Sequence, residues 1–210
     1  MPAGTAPPVW LLTAVVCKCL ISHMPATGTS PRSTAEAQRA RITAAAVRVF
    51  SEKGYHATPV AGVAAEAGVS PAYVFRLFPG KLGVFVAAVE DTYERVAEAL
   101  AAAGESSAES DPTARLAAMT DAYIALVEDR DLIMMQAHAQ SASSVPEIRD
   151  AVRSGLGEVV RAVGQASGAA PADVQRFVAY GQLCHLIVQT DLSAVGASWA
   201  QSITAGIRHR

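Results

Sequence analysis

The sequence predicts an all-α protein, on three observations. Alanine is abundant and alternating β-branched runs are scarce, which favours helix over strand. Apolar residues recur at helical spacing: Ile42, Ala45, Ala46, Val49 and Phe50 fall at i, i+3, i+4, i+7 and i+8. Proline and glycine then punctuate the chain at intervals that suit helix ends, as at Ser70-Pro71, Pro79-Gly80, Asp111-Pro112, Val145-Pro146 and Ala170-Pro171. With 51% hydrophobic and 17% charged residues, general disorder is excluded, and 210 residues suffice for a sizeable core.

Residues 1–31 stand apart. Val9 to Ile21 is mostly apolar, but Lys18 interrupts it and no basic residue precedes it, so it fits neither a secretory signal nor an ordinary bilayer span. Met24 to Thr34 is rich in Pro, Thr and Ser. The segment reads as an N-terminal extension, disordered or arising from a mis-called start with Met24 as the expected first residue. A membrane-attached form is the rival reading.

The first helix is expected over 34–53, with Gly54 suited to a left-handed cap. Thr58 is expected to cap a second helix with Pro59 in its first position, and Val60, Val63 and Ala64 facing inward. Gly68 breaks that run. Ser70 caps a third helix that begins with Pro71 and has Val74 and Phe78 inward, with Val69 and Val74 placed as a hydrophobic staple. Ala72, Tyr73 and Arg76 are left on the other side. Further helices are expected near 81–102, 112–128, 130–142, 146–166, 171–190 and 195–207.

Charge divides the chain. Residues 32–81 carry seven basic and three acidic side chains, whereas 82–135 carry three basic and eleven acidic ones. Only the first block suits a polyanion. Within it, two short helices joined by Ala67-Gly68-Val69 force a sharp turn, the arrangement of a helix-turn-helix. The second of these helices, about 13 Å long, matches a major groove about 12 Å wide. Its first turn offers the small Pro71 and Ala72, which allow close approach, beside Tyr73. Arg76 can reach a guanine edge or the backbone, and Lys81 a phosphate oxygen. The candidate DNA-binding residues are therefore Arg48, Thr58, Pro59, Ser70, Pro71, Ala72, Tyr73, Arg76 and Lys81.

The order Arg41-Ile42, Ala45-Ala46, Phe50, Gly54-Tyr55, Thr58, Val63-Ala64, Ala67-Gly68-Val69-Ser70 and Phe78-Pro79-Gly80-Lys81 resembles the tetracycline-repressor (TetR) family over about 50 residues. The resemblance implies an all-helical homodimer, with a three-helix DNA-binding domain over 32–84 and a helical ligand-binding and dimerisation domain over 85–210. It implies a transcriptional repressor that a small apolar ligand releases from a palindromic operator. Three positions depart from the family pattern. Phe75 stands where a phosphate-contacting tyrosine is usual, Leu77 where histidine is common, and Leu82 where glutamate is frequent. Phe75 and Leu77 leave open an alternative, a helical protein-interaction module of the same fold with weakened or lost DNA binding.

In the second domain, Tyr123, Met134, Met135, His138, Phe177 and His185 are the candidate ligand-binding residues, with Leu183 beside them. Methionine adapts to varied ligand shapes, and a histidine among apolar neighbours can orient a ligand. The resemblance places a dimer interface on the last two helices. Val174, Phe177, Val178, Leu183 and Leu186 form one face there, and Trp199, Ile203 and Ile207 another.

No Ser/His/Asp order, paired acids or cofactor loop stands out, so neither an enzyme nor a cofactor is expected. Cys17, Cys19 and Cys184 make no disulfide framework, and Cys17-Lys18-Cys19 lacks a second half for a metal site. A reducing cytoplasm fits, with no membrane partner.

Overall fold

The computed structural model describes residues 31–126 and 128–206, with side chains from Thr34 onward. The expectations for residues 1–30 and for Ile207 lie outside the described residues. The fold is all-α. The helices are α1 (Pro31–Ala57), α2 (Val60–Glu66), α3 (Pro71–Leu77), α4 (Gly80–Ser106), α5 (Pro112–Leu126), α6 (Arg130–Ser141), α7 (Pro146–Ser167), α8 (Pro171–Gln189) and α9 (Ser198–Thr204). A 3-10 turn, Leu192–Ala194, precedes α9.

Four of the five residues in the apolar stripe of α1, Ile42, Ala45, Ala46 and Phe50, are inaccessible to solvent, whereas Val49 is half-buried. Val63 and Ala64 of α2 and Val74 of α3 close on the stripe, and Phe78 joins just past the end of α3. The helix outlasts the expected 34–53 but is broken at Gly54, whose φ of 71° and ψ of −176° differ from the left-handed cap expected there. That combination is essentially open to glycine alone. Gly68, with φ 63°, makes the turn between α2 and α3.

Thr58 corrects one expectation. It and Pro59 form a short extended link, α2 begins at Val60, and the cap position is occupied by Pro59 without a side-chain bond. Thr58 is 2% exposed, and its Oγ1 is buried without a hydrogen-bonding partner. Tertiary packing has turned the residue inward, where it can neither cap the helix nor reach an external surface.

The long α4 runs from the head into the body. Its Phe85 meets Phe50 edge-on at 4.8 Å and Tyr55 at 5.1 Å, and further along it packs against α7. The expected division after residue 84 thus falls inside a continuous helix. Tyr93 of α4 occupies the space over Gly155, where any Cβ would lie 2.4 Å from the ring, so the two helices approach closely. Toward the C-terminus, α9 is shorter than the expected 195–207, because residues 192–194 turn first. Among the described residues no single helix is long and apolar enough to cross a membrane.

Candidate nucleic-acid interface and ligand cavity

The local sequence builds α3 with an outward and an inward face. Ser70 Oγ accepts from the Tyr73 N–H at 3.2 Å, Pro71 starts the helix, and Val74 and Phe78 anchor it. Pro71, Ala72, Phe75 and Arg76 are left exposed, whereas Tyr73 and Leu77 are half-buried. The Arg76 guanidinium lies over the Tyr73 ring at 5.8 Å from its centroid.

Two further cations hold this unit in place. The Arg39 guanidinium donates to the Leu77 carbonyl at the end of α3 and sits over the Phe78 ring at 4.2 Å. A cation at that end also complements the helix dipole. Lys81 Nζ donates to the His56 carbonyl at 3.1 Å and lies 5.0 Å from the Tyr55 centroid. An ammonium has three donors, so Lys81 keeps others for solvent or an anion. Arg48 is engaged too: its Nε donates to Glu66 Oε1 at 2.7 Å, tying α1 to α2 at the surface.

Of the expected DNA-facing residues, the structure brings Pro59, Ser70, Pro71, Ala72, Tyr73, Arg76 and Lys81 to accessible or partly accessible positions around α3. Arg48 is exposed but paired, and Thr58 is buried. Arg39 and Phe75 were not singled out as contacts by spacing alone. An arginine outside the apolar stripe of α1 was the available signal for the first. The second is an aromatic residue on the outward face of α3.

The body contains a cavity of about 280 Å³, lined by Thr120, Tyr123, Ile124, Phe177, Tyr180, Gly181, Cys184, Ala205 and Gly206. Among the described residues, no ionisable carboxylate, ammonium or guanidinium lines it. Tyr123 Oη and His185 Nε2 are 2.5 Å apart, which couples the lining to a buried imidazole on α8. Burial lowers the His185 pKa to about 4, so the ring is neutral near pH 7. Burial also pushes the Tyr123 phenol and the Cys184 thiol upward, so both stay protonated. The other His185 ring nitrogen, Nδ1, is buried and unpartnered. A bare acceptor is cheaper to bury than an unpaired N–H, so the favoured arrangement has Nε2–H donating to Tyr123. The phenol hydrogen is then free to point elsewhere.

Tyr123, Phe177 and His185 therefore come together, whereas Met134, Met135 and His138 do not line this cavity. Met135 shares the stripe Leu132, Met135, Gln136, Ala139 and is fully buried in the core. His138 instead packs on the broken helix of the head: a Cβ added at Gly54 would lie 2.6 Å from its Nδ1. Its Nε2 is buried and unpartnered. Beside it, Ser51 Oγ of α1 donates to Asp131 Oδ1 of α6 at 2.7 Å. The contact of α6 with α1 is thus polar as well as steric.

A basic head with an outward-facing helix, carried on a helical body, is the arrangement of a DNA-binding regulator of transcription. Residues 42–88 match the model of a family described as bacterial regulatory proteins, tetR family. Solved structures support the fold over most of the chain. FadR from Bacillus subtilis in complex with stearoyl-CoA is 20% identical with a TM-score of 0.61, covering 78% of this chain and 94% of that one. A transcriptional regulator from Pseudomonas aeruginosa PAO1 is 22% identical with a TM-score of 0.59, covering 80% and 86%. A tetR-family regulator from Streptomyces coelicolor is 19% identical with a TM-score of 0.57, covering 80% and 76%. No curated protein matches the chain by sequence.

Proposed function

We propose that the protein is a ligand-responsive repressor: a homodimer that binds a palindromic operator through α2 and α3 and is released by a small, neutral, mostly apolar ligand. The observation that carries the ligand-responsive part is the body cavity. Its volume of about 280 Å³ lies near the lower end of ligand pockets, about 300–1,000 Å³, and its lining bears no formal charge. The Tyr123 hydroxyl is its orienting group. FadR from Bacillus subtilis was solved with stearoyl-CoA. Among the described residues the cavity lining has no basic side chain to meet the phosphates of such a ligand, which favours a smaller, uncharged molecule.

Pro59, Ser70, Pro71, Ala72, Tyr73, Arg76 and Lys81 form the proposed DNA surface, with Arg48 added where phosphate can compete with Glu66. The proposed dimer face differs from the one expected on the last two helices. It adds α7 to α8: Leu156 and Val160 of α7 are exposed along an apolar groove that Val174 and Val178 of α8 also line, while Leu186 and Trp199 of the expected faces are exposed outside it. Two copies joined there would present two α3 helices to half-sites about 34–36 Å apart. The contacts of α6 with Ser51 and Gly54 offer a route from body to head.

Nuclease footprinting on the neighbouring intergenic DNA at low salt is expected to show a protected palindrome. The neutral probe N-phenyl-1-naphthylamine is expected to fluoresce on entering the cavity and to lose that gain in Gly181→Leu, which narrows the space beside the Tyr123 ring. An absent footprint overturns the operator reading. A gain unchanged in Gly181→Leu overturns the cavity reading.

A further inference from the structure

The outward face of α3 has an uneven chemistry. Of its exposed residues Pro71, Ala72, Phe75 and Arg76, only Arg76 carries side-chain hydrogen-bond donors, and Phe75 is 53% exposed. The helix cannot roll to hide that ring. Val74 and Phe78 are locked in the core, Ser70 caps one end, and Arg39 holds the Leu77 carbonyl at the other. Pro71 and Ala72, one turn earlier on the same face, are small enough to leave the ring prominent.

A benzyl ring offers nothing to a phosphate oxygen and nothing to the amino and carbonyl edges of bases. The apolar group that duplex DNA displays in its major groove is the 5-methyl of thymine. The surrounding segment is the basic part of the chain, with seven basic against three acidic side chains over 32–81, so the surface that meets Phe75 belongs to a polyanion. We infer that Phe75 is a specificity-determining residue that selects thymine by packing its ring on the 5-methyl group, while Arg76 supplies the neighbouring polar contact. This inference rests on DNA binding by the head. It makes the operator position facing Phe75 a methyl-dependent one, read by shape and desolvation and not by hydrogen bonding.

The test uses the full chain and a duplex library with a randomised core. The most enriched duplex is resynthesised with deoxyuridine replacing thymidine at one position at a time, which removes only the methyl. Wild type is expected to lose about fourfold in affinity per methyl at one thymine in each half-site. Phe75→Ala is expected to bind the thymine and uracil duplexes equally, and Phe75→Leu to keep part of the preference. Because Phe75 is exposed, both variants are expected to melt within a degree or two of wild type. If no thymine-to-uracil change weakens wild type, or if Phe75→Ala keeps the full thymine preference, the inference is overturned. Failure of DNA binding itself looks different: the library then yields no enriched duplex, and both readings fall together.

Discussion

The head and the body use their aromatic rings in opposite ways. In the head, Phe50 and Phe78 are buried, and Phe85 meets Phe50 at 4.8 Å. The large apolar side chain left outside is Phe75, on the outward face of α3. In the body, Tyr123 and Phe177 border about 280 Å³ of space, and a neutral imidazole stands behind Tyr123. The head fills its core with aromatic rings, whereas the body leaves two of them bordering open space. The difference supports the proposed division of labour, with DNA met on the outside of the head and a ligand held in the body.

The comparison breaks first at the aromatic packing of the head. Phe50→Ala is expected to cost about 3–5 kcal/mol, since a fully buried ring is replaced by a void. Calorimetry should show a large fall in melting temperature. A change near zero would mean that the head is not closely packed.

The next largest effect concerns the body and pH. His185 is held neutral, with its pKa lowered from 6.5 to about 4. As pH falls, the unfolded chain takes up this proton before the folded one does. The contribution is therefore complete above pH 6.5 and is lost progressively between about pH 6.5 and 4, by up to roughly 3 kcal/mol. Denaturant midpoints of wild type and His185→Gln across that window should differ in slope. Parallel profiles would show that His185 is not held neutral by burial.

Gly54 joins the two regions and sharpens the contrast between them. Gly54→Ala is expected to cost about 1–3 kcal/mol in backbone strain alone, with a further clash against His138. His138→Ala in the same chain should recover the clash but not the strain, as thermal midpoints of the three chains will reveal. The smallest effect is local: Ser70→Ala removes the cap of α3 and is expected to cost about 1 kcal/mol. Amide exchange at Tyr73 should quicken in that variant.

Much of this was legible in the sequence where neighbouring residues decide the outcome. Ser70-Pro71 marked the start of α3 because cap and first-turn geometry are set within four residues. Pro112, Pro146 and Pro171 marked helix starts for the same reason. The inward set Ile42, Ala45, Ala46 and Phe50 followed from helical period. Thr58 was misread because its burial depends on elements distant in sequence, which no cap rule registers. Met135 could have been assigned to the core, since Leu132, Gln136 and Ala139 share its face. The pairing of Tyr123 with His185 spans 62 positions, and that of Arg39 with Leu77 spans 38, so neither had a local signal. The DNA-facing surface was therefore more legible than the cavity: one is written along a short segment, whereas the other is assembled from α5, α8 and the residues after α9.

The most direct test of the account is the affinity of the intact protein for its enriched duplex, set against a scrambled duplex of the same composition, in wild type, Tyr73→Ala and Arg76→Ala across a salt titration. The account predicts that wild type prefers the enriched duplex, that binding weakens steeply as salt rises, and that both variants lose most of the preference, with the exposed Arg76→Ala melting like wild type. Equal affinity of wild type for the two duplexes, or variants that discriminate as wild type does, would contradict a head that reads DNA through the outward face of α3.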